Sequence, residues 1–337
     1  MKKIPVIGIT MGDPAGIGPE IILSMLNRRE RASNFLPLVF GSATVFNAMA
    51  EHLAVPNPFH VLSDIKEIPR KGDQPCLLDL KNIDPSDFAP GQISARTGRA
   101  SVEYVLQAIE AALQKDIDAV VTAPIHKEAI HLAGFNFAGH TELLAEKTGA
   151  RNFAMMLIGG PIRVILVTTH LALKEVPQAL TAEKIEKKIL LAHHAMLDLG
   201  FPSPRIAVAA LNPHAGEHGL FGEEEERIIL PAVAQARKKG IDVTGPHPPD
   251  TVFHQAYHGR FHAVVSMYHD QGLIPLKMIA FEQGVNVTLG LPIIRTSVDH
   301  GTAFDIAGQG KANPSSLVEA VSIALQLVTR RIEDKNL

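Results

Sequence analysis

Three of the sixteen histidines in this 337-residue chain share one context. His170 follows the apolar run RVILVTT, His214 follows IAVAALN within NPHAGEHG, and His269 follows AVVSMY. Each run reads as a buried strand. Each imidazole therefore stands just past the carboxyl end of a strand, where open α/β sheets bind their ligands. Three neutral imidazoles can hold a divalent cation and still leave positions for water or substrate. Their spacing matches no local metal motif, so the fold has to bring them together; the alternative is three unrelated surface residues. His218, in the same glycine-rich turn as His214, is a weaker candidate. His193 and His194 fall mid-helix and read as packing or surface residues.

A second set suits an anion. Lys277, Asn286 and Arg295 lie in short or glycine-flanked segments of an otherwise apolar stretch. A guanidinium binds phosphate or carboxylate bidentately, and lysine adds a compact charge. The competing reading is solvated surface charge, which fits Arg295 poorly because it sits between LPII and TSV. His140 and Thr141 open a helix and can add donors to the same anion at its N-terminus. Asp250, Asp270 and Lys277 are the candidates for moving a proton, with either carboxylate alternatively orienting a ligand. Capping of the following helix competes for Asp250.

These groups require a scaffold of strands alternating with helices. Ile4–Thr10, Leu36–Phe40, Cys76–Asp79, Ala119–Ala123, Arg205–Leu211 and Ala263–Met267 read as strands. Ala43–Leu53, Thr97–Lys115, Thr181–Leu199, Glu223–Lys239 and Pro314–Arg331 read as helices. Ala154–Ile158 and Arg163–Thr168 form a strand pair about the Gly159-Gly160-Pro161 turn. The alternation implies open, largely parallel sheets covered on both faces, hence the α/β class. Between the first strand and its helix lies MGDPAGIGPE, Met11–Glu20. Its glycines fit neither G-x-G-x-x-G nor a P-loop. It is either a packing turn or a loop that faces a ligand.

Composition narrows the partners. The hydrophobic content of 46% with 20% charged residues describes a globular chain, and its length accommodates two domains. A net charge of −3 gives no basic footprint for nucleic acid. No apolar run is long enough to span a membrane, and the short apolar run at the N-terminus is too brief for a signal-peptide core. The single cysteine, Cys76, excludes an intrachain disulfide framework and suits a reducing compartment. Together these features predict a cytoplasmic protein.

With those residues in view, the chain resembles the 4-hydroxythreonine-4-phosphate dehydrogenase family. The resemblance runs almost end to end, through GDPAGIGPE, APIHKEAI, GHTE, TTHLAL, LNPHAGE, PPDT, MYHDQG, GVN, GLP and IRTSVDHGTA. It implies a homodimer of subunits built from two α/β/α domains, of isocitrate and isopropylmalate dehydrogenase type, with the active site in an interdomain cleft. The first domain is expected over 1–135 plus 290–337 and the second over 136–289. By motif match the metal ligands are His170, His214 and His269, the last reaching a site completed by the other subunit. Substrate contacts fall on His140, Thr141, Lys277, Asn286 and Arg295. DHGTAFDIAG…ANP resembles the adenine-side NAD loop of β-decarboxylating dehydrogenases. It assigns His300, Gly301, Thr302, Ala303 and Asn313 to the cofactor, which explains the missing Rossmann glycines.

The resemblance implies metal-dependent oxidation and decarboxylation of a 4-phosphorylated 3-hydroxy acid by NAD. Zn²⁺ is favoured by three imidazoles, with Mg²⁺, Mn²⁺ and Co²⁺ open in an oxygen-completed site. MGDPAGIGPE, HKEAIHLAG, HGLFGEEE and PPDTVFHQAY look more like the branch acting on D-threonate or D-erythronate 4-phosphate. The branch acting on 4-hydroxythreonine 4-phosphate, toward pyridoxal phosphate, is the alternative. A three-histidine phosphohydrolase is the remoter one.

Overall fold

The structure is a computed structural model that describes residues 4–28, 34–69, 72, 74–137 and 139–334. The chain divides into two compact units, Met1–Arg151 with Leu291–Leu337, and Asn152–Gly290. The first unit starts with β1 (Val6–Thr10), α1 (Gly18–Arg28), β2 (Leu36–Gly41), α2 (Ala43–His52), β3 (His60–Leu62) and β4 (Cys76–Asp79). It continues with α3 (Ala95–Gln114), β5 (Ala119–Thr122), α4 (Lys127–Leu132) and α5 (His140–Thr148). The second unit contains β6 (Ala154–Gly159), β7 (Ile162–Leu166), α6 (Val176–Ala179), α7 (Ala182–Asp198), β8 (Ile206–Ala209) and α8 (Leu230–Lys238). It ends with β9 (Val243–His247), α9 (Pro249–Tyr257), β10 (Ala263–Ser266), α10 (His269–Ala280) and β11 (Val285–Leu289). The chain then returns to the first unit as β12 (Arg295–Val298) and α11 (Ser315–Asp334).

In the first unit the strands run parallel in the order β3-β4-β2-β1-β5-β12. The chain winds outward from β1 in one direction and from β5 in the other. The β1/β5 boundary is therefore a switch point in the strand order, the position at which open α/β sheets commonly bind ligands. The MGDPAGIGPE turn leaves β1 there, and Asp13 N donates to Pro124 O at 2.9 Å across that boundary. Every residue of β1, β2, β5 and β12 is buried. That explains why β1, β2 and β5 are continuous apolar or small runs rather than alternations, whereas β12, RTSV, buries polar side chains.

The second unit orders its strands β11-β6-β7-β10-β8-β9. Here β6 runs antiparallel to β11 and β7, joined to β7 by the expected glycine turn, whereas β7, β10, β8 and β9 are mutually parallel. Thr181 caps α7 by accepting from Lys184 N at 3.2 Å. Among the described residues no helix is long and apolar enough to cross a membrane.

Two local expectations change. The helix read over Glu223–Lys239 is a π turn, Glu225–Ile229, followed by α8. Pro231 has no N–H to close an α turn, which favours a widened turn just before it. Helix α5 packs on α3 inside the first unit, whereas the sequence boundary at 135/136 had assigned it to the second.

Candidate functional site

The three singled-out histidines stand beyond the carboxyl ends of β7, β8 and β10, three parallel strands adjacent in the order β7-β10-β8. Past the ladder, the β7 and β10 extensions stay together. Val167 N donates to Ser266 O at 2.9 Å, Thr168 N to Met267 O at 3.2 Å, and Thr168 Oγ1 to Met267 O at 2.7 Å. This places the His170 and His269 rings 6.1 Å apart, centroid to centroid. Two imidazoles sharing one tetrahedral cation at Zn–N distances of about 2.0–2.1 Å would have their ring centroids roughly 5.2 Å apart, so the pair stands about 1 Å wider than a metal-bound pair. His269 Nδ1 is hydrogen-bonded to Asp270 Oδ1 at 2.7 Å. A carboxylate on one ring nitrogen fixes the tautomer and leaves Nε2 as the donor to a metal. Asp270 thereby acts as an orienter of His269.

His214 lies in a left-handed turn, φ 52°, and its ring packs 5.9 Å from Phe221. Among the described residues, no three His, Cys, Asp or Glu side chains gather into one metal-holding group. His170 and His269 are thus the two of the three whose rings the structure brings together, with His214 on the neighbouring loop.

The anion-binding candidates divide between the units. In the first, Arg295 begins β12 and is 2% exposed, so it is no solvated surface charge. Its Nη2 donates to Thr122 Oγ1 at 2.6 Å. Burial lowers the guanidinium's pKa, and the Glu142 carboxylate opposes that shift. His140 lies close enough to feel Arg295: burial, then that guanidinium, hold its pKa well below the usual imidazole value. A neutral His140 retains one donor and one acceptor, and its enclosed Nε2 has no hydrogen-bond partner within the protein. Thr141 follows it in the first turn of α5. In the second unit Asn286 lies on β11 with a buried, unpartnered Oδ1. Lys277 projects from α10 over the Phe281 ring, 5.5 Å from its centroid. Asp250 sits in the first turn of α9, but the cap position is Pro248 and no side-chain cap bond forms there. Capping does not account for it.

The loop carrying His300, Gly301, Thr302 and Ala303 follows β12. His300 is exposed, Gly301 has open space where a Cβ would stand, and Ala303 takes the left-handed φ of 42°. Thr302 is buried, with its carbonyl held by Ile17 N at 3.0 Å. Phe304 stacks on His126 at 4.6 Å. Asn313 Oδ1 accepts from Ser315 N at 3.0 Å and Ser315 Oγ at 2.6 Å, which ties that side chain to the start of α11.

Sequence reasoning passed over several residues that hold these groups in place. Buried Gln271 accepts from Met267 N at 2.7 Å and donates to Ala210 O at 2.6 Å, linking the loops that follow β10 and β8. Buried Glu225, delivered by the π turn, accepts from Leu211 N and Asn212 N, both at 2.8 Å, and so fixes the NPH segment. Asp13, fully buried at the switch point, has its pKa raised by desolvation and eased back by the Ala15 amide. Only Asp13 carried a positional signal, as a polar residue in a glycine-marked loop directly after a strand; Gln271 and Glu225 lie within helical turns and offered none.

The profile of the family described as "Pyridoxal phosphate biosynthetic protein PdxA" matches residues 33–324. D-threonate 4-phosphate dehydrogenase of Salmonella typhimurium is 47% identical over 325 residues, covering 95% of this chain and 98% of the relative. 4-Hydroxythreonine-4-phosphate dehydrogenase of Desulfosudis oleivorans is 49% identical over 330 residues, covering 96% of each. Among solved structures, 4-hydroxythreonine-4-phosphate dehydrogenase from Klebsiella pneumoniae superposes with a TM-score of 0.87 at 43% identity, covering 97% of this chain and 100% of that one.

Proposed function

Because the chain belongs to the PdxA family, whose relatives at this similarity are named dehydrogenases, we propose that it oxidises a 4-phosphorylated 3-hydroxy acid with NAD, with loss of CO2. The proposed substrate is 4-phospho-D-threonate, or its D-erythronate epimer, and the product dihydroxyacetone phosphate. The second reading, oxidation of 4-hydroxythreonine 4-phosphate, is kept because identities of 47% and 49% to the two named activities do not separate them. The observation that carries the proposal is the His170–His269 pair, 6.1 Å apart at the ends of adjacent parallel strands.

In this reading His170, His214 and His269 hold a divalent cation. When bound, the cation supplies Lewis acidity at the substrate alcohol and at the enolate left by decarboxylation, and NAD supplies the hydride acceptor. The chain's own groups do the rest. Asp270 keeps His269 in the metal-binding tautomer. Arg295, neutral His140 and Thr141 are the proposed anion contacts of the first unit, and Lys277 and Asn286 those of the second. Lys277 and Asp250 are the groups proposed to move the alcohol proton. The loop from His300 to Ala303 is the proposed adenine-side contact, and Asn313 shapes its end.

The active form is proposed to be a homodimer with the metal site shared across the interface. Supporting this, α10 carries His269 at its start and an exposed apolar row further along, with Met278 at 84% and Phe281 at 74% exposure. The test is a side-by-side assay of 4-phospho-D-threonate, 4-phospho-D-erythronate and 4-hydroxythreonine 4-phosphate with NAD. NADH formation from one of the first two, in preference to the third, is the expected result. Phosphate release without NADH would sink the dehydrogenase reading in favour of a phosphohydrolase.

A further inference from the structure

The MGDPAGIGPE turn offered two readings, plain packing or a ligand-facing loop, and the structure points to a third role through its last residue. Glu20 lies in the first turn of α1 and is only 3% exposed. Its two carboxylate oxygens are divided between two backbone amides. Oε2 accepts from Gly308 N at 3.1 Å and Oε1 from Ala312 N at 2.9 Å. Both amides belong to the segment that runs from the HGTA loop to Asn313. The same turn grips that segment elsewhere. Ile17 N donates to Thr302 O at 3.0 Å, and a Cβ on Gly16 would stand 3.1 Å from both Thr302 Cβ and Thr302 O.

A carboxylate in a helix's first turn gains from the helix dipole even while fully solvated. Glu20 is instead turned inward, with the desolvation cost that burial of a charge entails. Two N–H donors converge on it, and each charge-assisted bond offsets part of that cost. Only a carboxylate satisfies both: a glutamine here would keep one acceptor and aim its NH₂ at the other donor.

We propose that Glu20 is a positioning residue for the dinucleotide, one that sets the shape of the 302–312 loop by clamping its far end without touching the cofactor. This rests on the reading of that loop as the NAD site. It gives the family's amino-terminal motif a function at the cofactor rather than at the metal.

The test uses full-length Glu20→Gln. Three readouts are taken: NADH affinity by fluorescence titration, hydrogen exchange of the 308–312 amides, and steady-state kinetics. The expected result is a loss of about tenfold in NADH affinity and a rise of about tenfold in KM for NAD. kcat and KM for the phosphorylated acid should stay within about twofold, and the loop amides should exchange faster. Glu20→Asp, too short to reach both amides, should fall between. Gly16→Ala perturbs the same loop from its other side. It decides the matter if Glu20→Gln does not fold, because it should show the same split at smaller size. A purely structural role would lower thermal stability while leaving NADH affinity intact in the folded variant. That result, or wild-type loop exchange in Glu20→Gln, overturns the inference and leaves the NAD reading standing. If the wild-type protein binds no dinucleotide, both fall.

Discussion

Replacing Gln271 by leucine isolates the part of the site that is held by one side chain. Gln271 is buried, and its amide spans Met267 N at 2.7 Å and Ala210 O at 2.6 Å. Those two backbone groups lie at the roots of the loops bearing His269 and His214. Leucine fills a similar volume but leaves both groups buried and unpaired, at about 1–3 kcal/mol each, or roughly 2–6 kcal/mol together. The better burial of an aliphatic side chain returns about 1–2 kcal/mol. On central values, about 4 less about 1.5, a net loss of about 2.5 kcal/mol is therefore expected, a large share of the roughly 5–15 kcal/mol that holds a typical domain together. Because the protein has two units, a single global midpoint would blur the effect. Hydrogen exchange of β8 and β10 peptides across a urea series follows the relevant unit. At an m-value of about 1–3 kcal/mol/M, the second unit should open at a visibly lower urea concentration while β1 and β5 keep their midpoint. Metal affinity, measured by titration, should fall as well. If the variant opens within about 0.5 kcal/mol of wild type, Gln271 is not what joins the two loops, and the reasoning fails.

Three further outcomes are expected. His140 is held neutral by burial and by Arg295, so the unfolded chain takes up a proton below its ordinary pKa of 6.5 while the folded chain resists. Stability therefore falls as pH drops through 6.5, by up to about 1.4 kcal/mol per pH unit; urea midpoints of wild type and His140→Gln should run parallel above that pH and converge or cross below it, and identical acid slopes would refute the assignment. Asp270→Asn should lower metal affinity by about tenfold, the small end of the usual range for an orienting carboxylate because Asp270 is exposed; unchanged affinity by calorimetry would show that the His269–Asp270 bond has no part in metal binding. Phe281→Asp combined with Met278→Asp should convert a dimer into monomers by light scattering with the fold intact by circular dichroism, and an unaltered mass would remove α10 from the interface.

Much of this organisation could be read from the sequence because parallel strands buried on both faces must be written as apolar runs. Once those runs are found, the residue just past each carboxyl end is a site candidate by topology alone. That logic found His170, His214 and His269, and the β7–β10 ladder, Leu166 opposite Ser266, supplies the closeness of two of them. It could not supply His214's left-handed backbone, which turns its ring toward Phe221. Nor could it find Gln271 or Glu20. Beside the local Met267 N, Gln271 binds a backbone group 61 residues away, and Glu20 binds groups 288 and 292 away. Bonds from a side chain to a distant main chain leave no periodicity and no motif. Helix α5 was misassigned for a related reason. It buries only Leu143, Leu144 and Ala145, too few to declare which unit they pack against.

Helix α10 carries residues of both the proposed metal site and the exposed apolar face. Its first residue is His269 and its first turn holds Asp270; Gln271 follows as the tie between loops, and Lys277 is the cation of the proposed clamp. Gly272 admits no Cβ without overlapping Val164, so the helix lies directly on β7 there. The outward face of the same helix carries Ile274, Met278 and Phe281, all strongly exposed, at the i, i+4, i+7 spacing that one helical face presents. If that face is covered by a second copy, assembly and metal binding act on one helix, joined through Pro275 in its interior. Residues 269 and 281 are then linked by about three turns of helix at 1.5 Å per residue, too short for independent movement. Dissociation should therefore cost metal affinity even in a monomer whose histidines are all intact. The Phe281/Met278 double variant tests this directly when its metal content is measured beside its mass: monomers that bind metal as tightly as the dimer would separate the two roles of α10 and return His269 to a site built within one chain.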